Sequence, residues 1–276
     1  MGVAGPIRIE DSADSRIAGF VSIRERDLTG REGRFIAEGT VVLRMLAAAH
    51  RSGRGIAAEA ILLLESRVAG LASLLAEFPP EVPVYMADAR VFDAIAGFNM
   101  HRGVLALGRF DQMPGRDALI ANLPTCSLVL AACGISNHDN MGSLFRNAAA
   151  FGVDAVLMDQ TTCDPMYRKA IRVSVGSVLT LPFAREGTAA DLIERLQAGG
   201  FAIWGLSPRG ETDVGEIAPA PRTALLVGTE GEGLPQTILS AVRTARIRQR
   251  PGLDSLNVAM AAGIALHQVA RVNGRI

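Results

Sequence analysis

Apolar and polar positions alternate in blocks along the chain, and most blocks have the length of a single strand or helix. Gly39 to Arg51 repeats its apolar positions at helical spacing, Ala60-Ile61-Leu62-Leu63-Leu64 is a strand-like run, and Leu71 to Phe78 is helical again. Val82-Pro83-Val84-Tyr85-Met86 and Val104-Leu105-Ala106-Leu107 predict two further strands. Pro, Gly and polar residues then break the pattern between residues 111 and 124. Beyond them, strands are predicted at Ser127 to Ala132, Ala155 to Met158, Phe201 to Leu206, Thr223 to Val227 and Ala245 to Gln249. A helix is predicted from Gly142 to Phe151, and a last one from Ser255 to Val272 that Asn273-Gly274 stops. Such alternation predicts a parallel sheet with helices on both faces. The expected organisation is a small α/β domain over 1–112, a linker at 113–124 and a larger α/β domain over 125–276, with no internal repeat or low-complexity segment.

Composition changes this picture little. A length of 276 residues favours two domains. With 49% hydrophobic residues and a mean hydropathy of +0.26, a membrane span has to be considered. The longest uncharged run, Ala118 to His138, is interrupted by Asn122, Pro124, Gly134 and Asn137, and Ser255 to Ala270 carries Asn257, His267 and Gln268, so no transmembrane helix is expected. Met1 to Asp11 lacks a basic segment followed by an apolar core, so no signal peptide is expected. Cys126, Cys133 and Cys163 are odd in number without C-x-x-C spacing, which argues against a disulfide framework or a zinc site and fits a reducing cytoplasm. His50, His101, His138 and His267 are scattered, and no metal centre is expected.

The formal net charge is zero, with 28 basic and 28 acidic residues, which argues against coating nucleic acid by bulk charge. Locally, Arg243, Arg246, Arg248, Arg250, Arg271 and Arg275 face a single Asp254, and Arg168-Lys169-Ala170-Ile171-Arg172 forms a second cluster. Guanidinium groups suit phosphate oxygens. Lys169 is the only lysine in the chain, so a general preference for arginine explains the clusters equally well.

Chemistry concentrates in three strings, each placing polar residues and glycines where an apolar run ends. They are Asn140-Met141-Gly142-Ser143-Leu144-Phe145-Arg146-Asn147-Ala148, then Gly228-Thr229-Glu230-Gly231-Glu232-Gly233-Leu234-Pro235, then Asp254-Ser255-Leu256-Asn257-Val258. In open α/β sheets ligands collect outside the carboxyl ends of strands, so three such ends describe a site. In the first string, Met141, Leu144, Phe145, Ala148 and Phe151 recur as a buried helical stripe and Arg146 lies off it. Arg146 is there either a solvated helix arginine or a group that reaches phosphate or ribose; Asn140 is a helix cap or a functional amide. In the second string, glycines let the backbone approach a ligand closely, whereas G-x-x-x-x-G-K-[ST] is absent and two glutamates would repel phosphate. In the third, Ser255 or Asp254 can cap the helix.

In this order the three strings resemble the SpoU (TrmH-like) family of RNA ribose 2′-O-methyltransferases, of the SPOUT class, over roughly residues 125 to 276. The resemblance implies a knotted SPOUT-type catalytic domain with a parallel sheet, S-adenosylmethionine as cofactor, RNA as partner, and a homodimer with its active site at the subunit interface. It implies Asn140, Arg146, Glu230, Ser255 and Asn257 as catalytic residues. Gly228, Thr229, Glu230, Gly231, Gly233, Ile247, Leu256 and Asn257 are the implied cofactor-binding residues. The family's arginine is the proposed activator of the ribose hydroxyl; since a guanidinium is effectively never deprotonated, electrostatic stabilisation of the developing alkoxide is the chemistry expected of it.

Arg34-Phe35-Ile36-Ala37-Glu38-Gly39 and Gly97-Phe98-Asn99-Met100-His101-Arg102-Gly103-Val104 resemble the small substrate-binding domain of the family's ribosomal-RNA members, which makes ribosomal RNA the expected substrate ahead of transfer RNA. Two departures stand out: Ile247-Arg248-Gln249 where members commonly have Ile-Pro-Met, and Thr229 in place of Asn. They support the rival reading, a non-catalytic RNA-binding or ribosome-assembly protein on the same fold.

Overall fold

The computed structural model describes residues 5–21, 29, 33–96, 103–111, 113–250, 252 and 255–276, in two compact units. One is Met1–Gln112 with Met166–Thr180, the other Met113–Pro165 with Leu181–Ile276. Gly97 to Arg102 of the second N-terminal string, Gln112 at the expected domain border and Asp254 of the third motif lie outside the described residues.

The first unit runs β1 (Ile7–Ile9), β2 (Arg34–Glu38), α1 (Thr40–Ser52), β3 (Ile56–Leu64), α2 (Glu65–Leu75), β4 (Val84–Ala87), α3 (Ala89–Ala96) and β5 (Val104–Phe110). Its sheet has the order β1-β4-β3-β5-β2, parallel from β1 to β3 and antiparallel at β5 and β2. Helix α1 buries Val42, Leu43, Leu46 and Ala47, one apolar stripe, and ends on Gly53 in the left-handed region. Ile9, Ile17, Leu62, Phe92 and Leu105 form part of the core.

The second unit opens with α4 (Arg116–Ala121), β6 (Ser127–Ala132), α5 (His138–Ala150) and β7 (Ala155–Met158). The chain then leaves it for 166–180, which carries α6 (Arg168–Val173), and returns as β8 (Phe183–Arg185), α7 (Ala189–Ala198), β9 (Ala202–Leu206) and β10 (Thr212–Asp213). It finishes with β11 (Arg222–Val227), α8 (Gln236–Leu239), β12 (Arg243–Arg246) and α9 (Val258–Val272). The seven strands are all parallel in the order β10-β12-β9-β11-β6-β7-β8. Every residue of β6 is buried, as a parallel strand covered on both faces requires. Among the described residues, no helix is long and apolar enough to cross a membrane.

Two segments differ from the organisation read along the chain. Residues 113–124 are not a plain linker: α4 buries Arg116, Leu119 and Ile120, and the Arg116 backbone N–H donates to Glu186 at 2.7 Å. Residues 166–180 belong to the first unit. The Glu38 carboxylate of β2, 4% exposed, is ion-paired to Arg168 at 3.1 Å and Arg172 at 3.3 Å, and a buried carboxylate is costly without such partners. Two cations of that basic cluster are therefore occupied inside the fold. The C-terminal arginines are similarly employed: Arg246 donates to the Gly210 and Glu211 carbonyls, Arg248 pairs with Asp213, Arg275 with Asp154, and Arg243 lies over Trp204.

Candidate active site

In the second unit the chain lays β6, β7 and β8 outward in one direction, then crosses back to β9, and β11 later fills the place between β9 and β6. The order of strands reverses there, and such a switch point leaves a crevice at the strands' carboxyl ends. Leu206, Val227 and Ala245, at the ends of β9, β11 and β12, line a cavity of about 810 Å³. That volume suits a small-molecule site.

The glycine-rich loop after β11 folds back on itself. The Gly233 N–H donates to the Thr229 carbonyl at 3.2 Å, and the Thr229 hydroxyl donates to the Gly233 carbonyl at 3.2 Å. Gly231 and Gly233 sit at φ 102° and 74°, where side chains are strained. A Cβ on Gly228 would lie 2.4 Å from the Gly233 carbonyl carbon and the Leu234 nitrogen, so only glycine lets the loop close this tightly. Gly228, Thr229, Glu230, Gly231, Gly233, Ile247, Leu256 and Asn257 all line the one cavity, together with Ser255.

A hydrogen-bonded chain with both ends in the cavity lining joins the three motifs. Asn140 Nδ2 donates to Glu230 Oε1 at 2.7 Å, and Asn257 Nδ2 donates to Asn140 Oδ1 at 2.8 Å. Asn257 Oδ1 in turn accepts from the backbone N–H groups of Ala259 and Met260. Asn257 is thus the N-cap of α9, which starts at Val258; Ser255 precedes the helix by three residues and does not cap it. Likewise Asn137, not Asn140, caps α5, so Asn140 lies within the first turn and its amide is free to reach Glu230. Because the helix amides fix Asn257 Oδ1, each further amide in the chain has one orientation that satisfies it, and the last donor faces a carboxylate. Arg146 is exposed on α5, off the stripe of Met141, Leu144, Phe145 and Ala148; it neither lines the cavity nor bonds to the other site residues, and Phe151 is the half-buried C-cap.

Residues 127–267 match the SpoU rRNA Methylase family. An uncharacterised tRNA/rRNA methyltransferase of Mycobacterium tuberculosis (strain ATCC 25618 / H37Rv) is 35% identical over 271 residues, covering 95% of this chain and 90% of the relative. The chain belongs to the SpoU rRNA methylase family. RNA methylation is accordingly its class of reaction. Among solved structures, the AdoMet-bound rRNA methyltransferase from Sinorhizobium meliloti is similar at a TM-score of 0.77 with 23% identity, over 96% of this chain and 97% of that one. The SpoU methyltransferase AviRb from Streptomyces viridochromogenes, in complex with AdoMet, aligns at 0.78 with 21% identity, over 95% and 100%. At these identities the likeness is one of fold.

The departures from the SpoU pattern fall differently than the strings alone imply. Arg248 points out of the cavity, ion-paired to Asp213 at 2.8 Å and Glu216 at 3.6 Å, while Ile247 and Gln249 on either side line it. Thr229 sets its methyl against Gly134, which has no room for a Cβ there and whose N–H is held by the buried Asp159. Ser207 and Arg209, directly after β9, also line the cavity, beyond the residues that the three strings imply. The rule that sites form at carboxyl ends of strands was the signal for them.

Burial, then the negative charge of Glu230, pushes the Cys163 thiol up to about 11, and burial pushes Cys133 up to about 12. The thiolate is the reactive form. At pH 8 iodoacetamide is expected to label the exposed Cys126 first and to leave Cys163 and Cys133 largely unmodified, as read by peptide mass spectrometry. Cys163 labelling as fast as Cys126 would mean that the thiol is not held in this environment.

Proposed function

We propose that this protein transfers a methyl group from S-adenosylmethionine to a ribose 2′-hydroxyl of structured RNA, with ribosomal RNA as the substrate. The observation that carries this reading is the hydrogen-bonded chain Asn257–Asn140–Glu230, whose two ends line the cavity formed by the second and third motifs. The cavity's residues fit the cofactor: glycines bring backbone groups close to a ligand, and Glu211, Glu230 and Glu232 outweigh Arg209 in the lining, which favours a cationic group over a free phosphate. Bound S-adenosylmethionine supplies an electrophilic methyl on a positively charged sulfur. The protein's own task is then to align the ribose oxygen and stabilise charge on it. Glu230 keeps Oε1 for Asn140 and offers Oε2 as an acceptor for a ribose hydroxyl. Arg146 stabilises the developing alkoxide as an electrostatic partner, not as a base.

The isolation of Arg146 supports a homodimer in which Arg146 of the partner subunit completes the site. The surface for it is a groove of about 530 Å³ between α5 and α9, lined by Ser143, Phe151, Met260 and His267, with Met260 59% exposed. Asn147 and the small Gly263 let these two helices approach, Asn147 donating to the Ala259 carbonyl at 2.7 Å. We also assign to the second unit the family's C-terminal knotted threading, and to the protein a reducing, cytoplasmic location, which its three free thiols suit.

Mapping ribose methylation in RNA from cells with and without this protein tests the reading. One 2′-O-methyl mark in ribosomal RNA is expected to vanish without it, and purified protein is expected to restore that mark with S-adenosylmethionine. A mark lost from transfer RNA would overturn the substrate. Unchanged RNA and no restored methylation would favour the non-catalytic RNA-binding reading.

A further inference from the structure

Most polar groups of the cavity wall are already committed to one another. Asn257 serves α9 and Asn140, Thr229 bonds Gly233, and the Thr244 hydroxyl accepts the Glu211 N–H. Gln249 differs. Its side chain lines the cavity beside Ile247, yet its Oε1 is buried and has no hydrogen-bond partner among the described residues. Buried amide oxygens nearly always have a partner, so one without any at the wall of a cavity marks a bond that something else supplies. Oε1 is turned away from the open space as it stands, and because the terminal torsion of glutamine is broad and roughly two-fold, rotation about it brings either end of the amide to the cavity.

The surroundings say which kind of group would meet it. Leu206, Leu239, Ile247, Leu256 and Ala261 supply apolar walls to the same cavity. Apolar walls with an unpaired amide among them suit a purine base, and a carboxamide matches adenine by accepting from the 6-amino group while donating to the adjacent ring nitrogen. We propose that Gln249 is a specificity-determining residue that reads the adenine of the cofactor through its side-chain amide. This rests on the reading that S-adenosylmethionine fills the cavity. It assigns to a side chain a recognition that Met, the usual residue at this place in the family, cannot supply, because a thioether offers only a weak acceptor and no donor.

The test uses the full chain and calorimetry with two ligands, S-adenosylhomocysteine and its analogue lacking the 6-amino group. Wild-type protein is expected to bind the adenine compound about tenfold or more tightly than the analogue, the size of one well-placed base contact. Gln249→Met is expected to bind S-adenosylhomocysteine roughly tenfold more weakly and to distinguish the two ligands by less than about threefold. A Gln249→Met protein that keeps the wild-type preference overturns the proposal, as does a wild type that binds both ligands equally. If Gln249→Met does not fold, Gln249→Leu takes its place, and the wild-type ligand pair still decides. A wild type that binds neither ligand at millimolar concentration refutes the cofactor reading itself, a result distinct from loss of discrimination alone.

Discussion

Replacing Arg146 by alanine is expected to slow methyl transfer by about two to three orders of magnitude, the loss typical of deleting one donor that stabilises transition-state charge. Fold and cofactor affinity are expected to stay almost unchanged. Arg146 is exposed and off the buried stripe, so its removal should shift stability by only about 0.5 kcal/mol. It does not line the cavity, so binding of S-adenosylhomocysteine should match wild type. Single-turnover transfer to the cognate RNA at saturating cofactor separates these effects. A folded variant that methylates at the wild-type rate would make Arg146 a solvated helix arginine. Mixing adds a second reading of the same residue. If Arg146 of the partner subunit completes each site, Arg146→Ala chains co-refolded with cofactor-deficient chains will form mixed dimers with one intact site. Activity above that of either variant alone is then expected; no recovery would place Arg146 within its own chain's site.

The large outlines of the second unit were legible because a parallel strand, buried on both faces, has to be a short unbroken apolar run. β6 and β7 fall where Ser127 to Ala132 and Ala155 to Met158 predict them. The cavity was legible for a related reason: a glycine and carboxylate string directly after such a run can only be a loop at a strand's carboxyl end. Helix starts were less legible. Asn137, Asn140, Ser255 and Asn257 are all competent caps, and the choice depends on which residue takes extended backbone angles, a result of tertiary packing and not of side-chain type. That choice matters for function, since capping by Asn137 is what releases Asn140 for Glu230.

Charge was the least legible feature. Arg168 and Arg172 read as a cluster open to phosphate because their partner, Glu38, is remote in sequence, and Arg248 read as a departure at the site because its outward ion pairs with Asp213 and Glu216 do not show in the sequence. Short strands also escaped: β1 and β8 have three residues and β10 has two, too few to show a period. Such elements are defined by their pairing, as β8 is by β7, and no local pattern announces a partner.

Gly228→Ala is expected to abolish high-affinity cofactor binding while the fold survives. The added methyl would stand 2.4 Å from the Gly233 carbonyl carbon and the Leu234 nitrogen and 2.5 Å from the Gly233 oxygen. All three are backbone atoms, so no rotamer change relieves the clash and the loop itself must open. Opening it breaks the mutual bonds of Thr229 and Gly233 and draws Glu230 away from Asn140. A displacement near 1 Å at a positioned site costs on the order of a hundredfold, and S-adenosylhomocysteine affinity should fall by at least about that factor. The fold should lose about 1–3 kcal/mol, as for an overpacked position, because β11 and its neighbours need not move. Calorimetry gives the affinity and thermal melting the stability. A Gly228→Ala protein that binds the ligand like wild type would show that the closed loop is not what holds the cofactor. One that fails to melt cooperatively would show that the loop supports the sheet as well as the site.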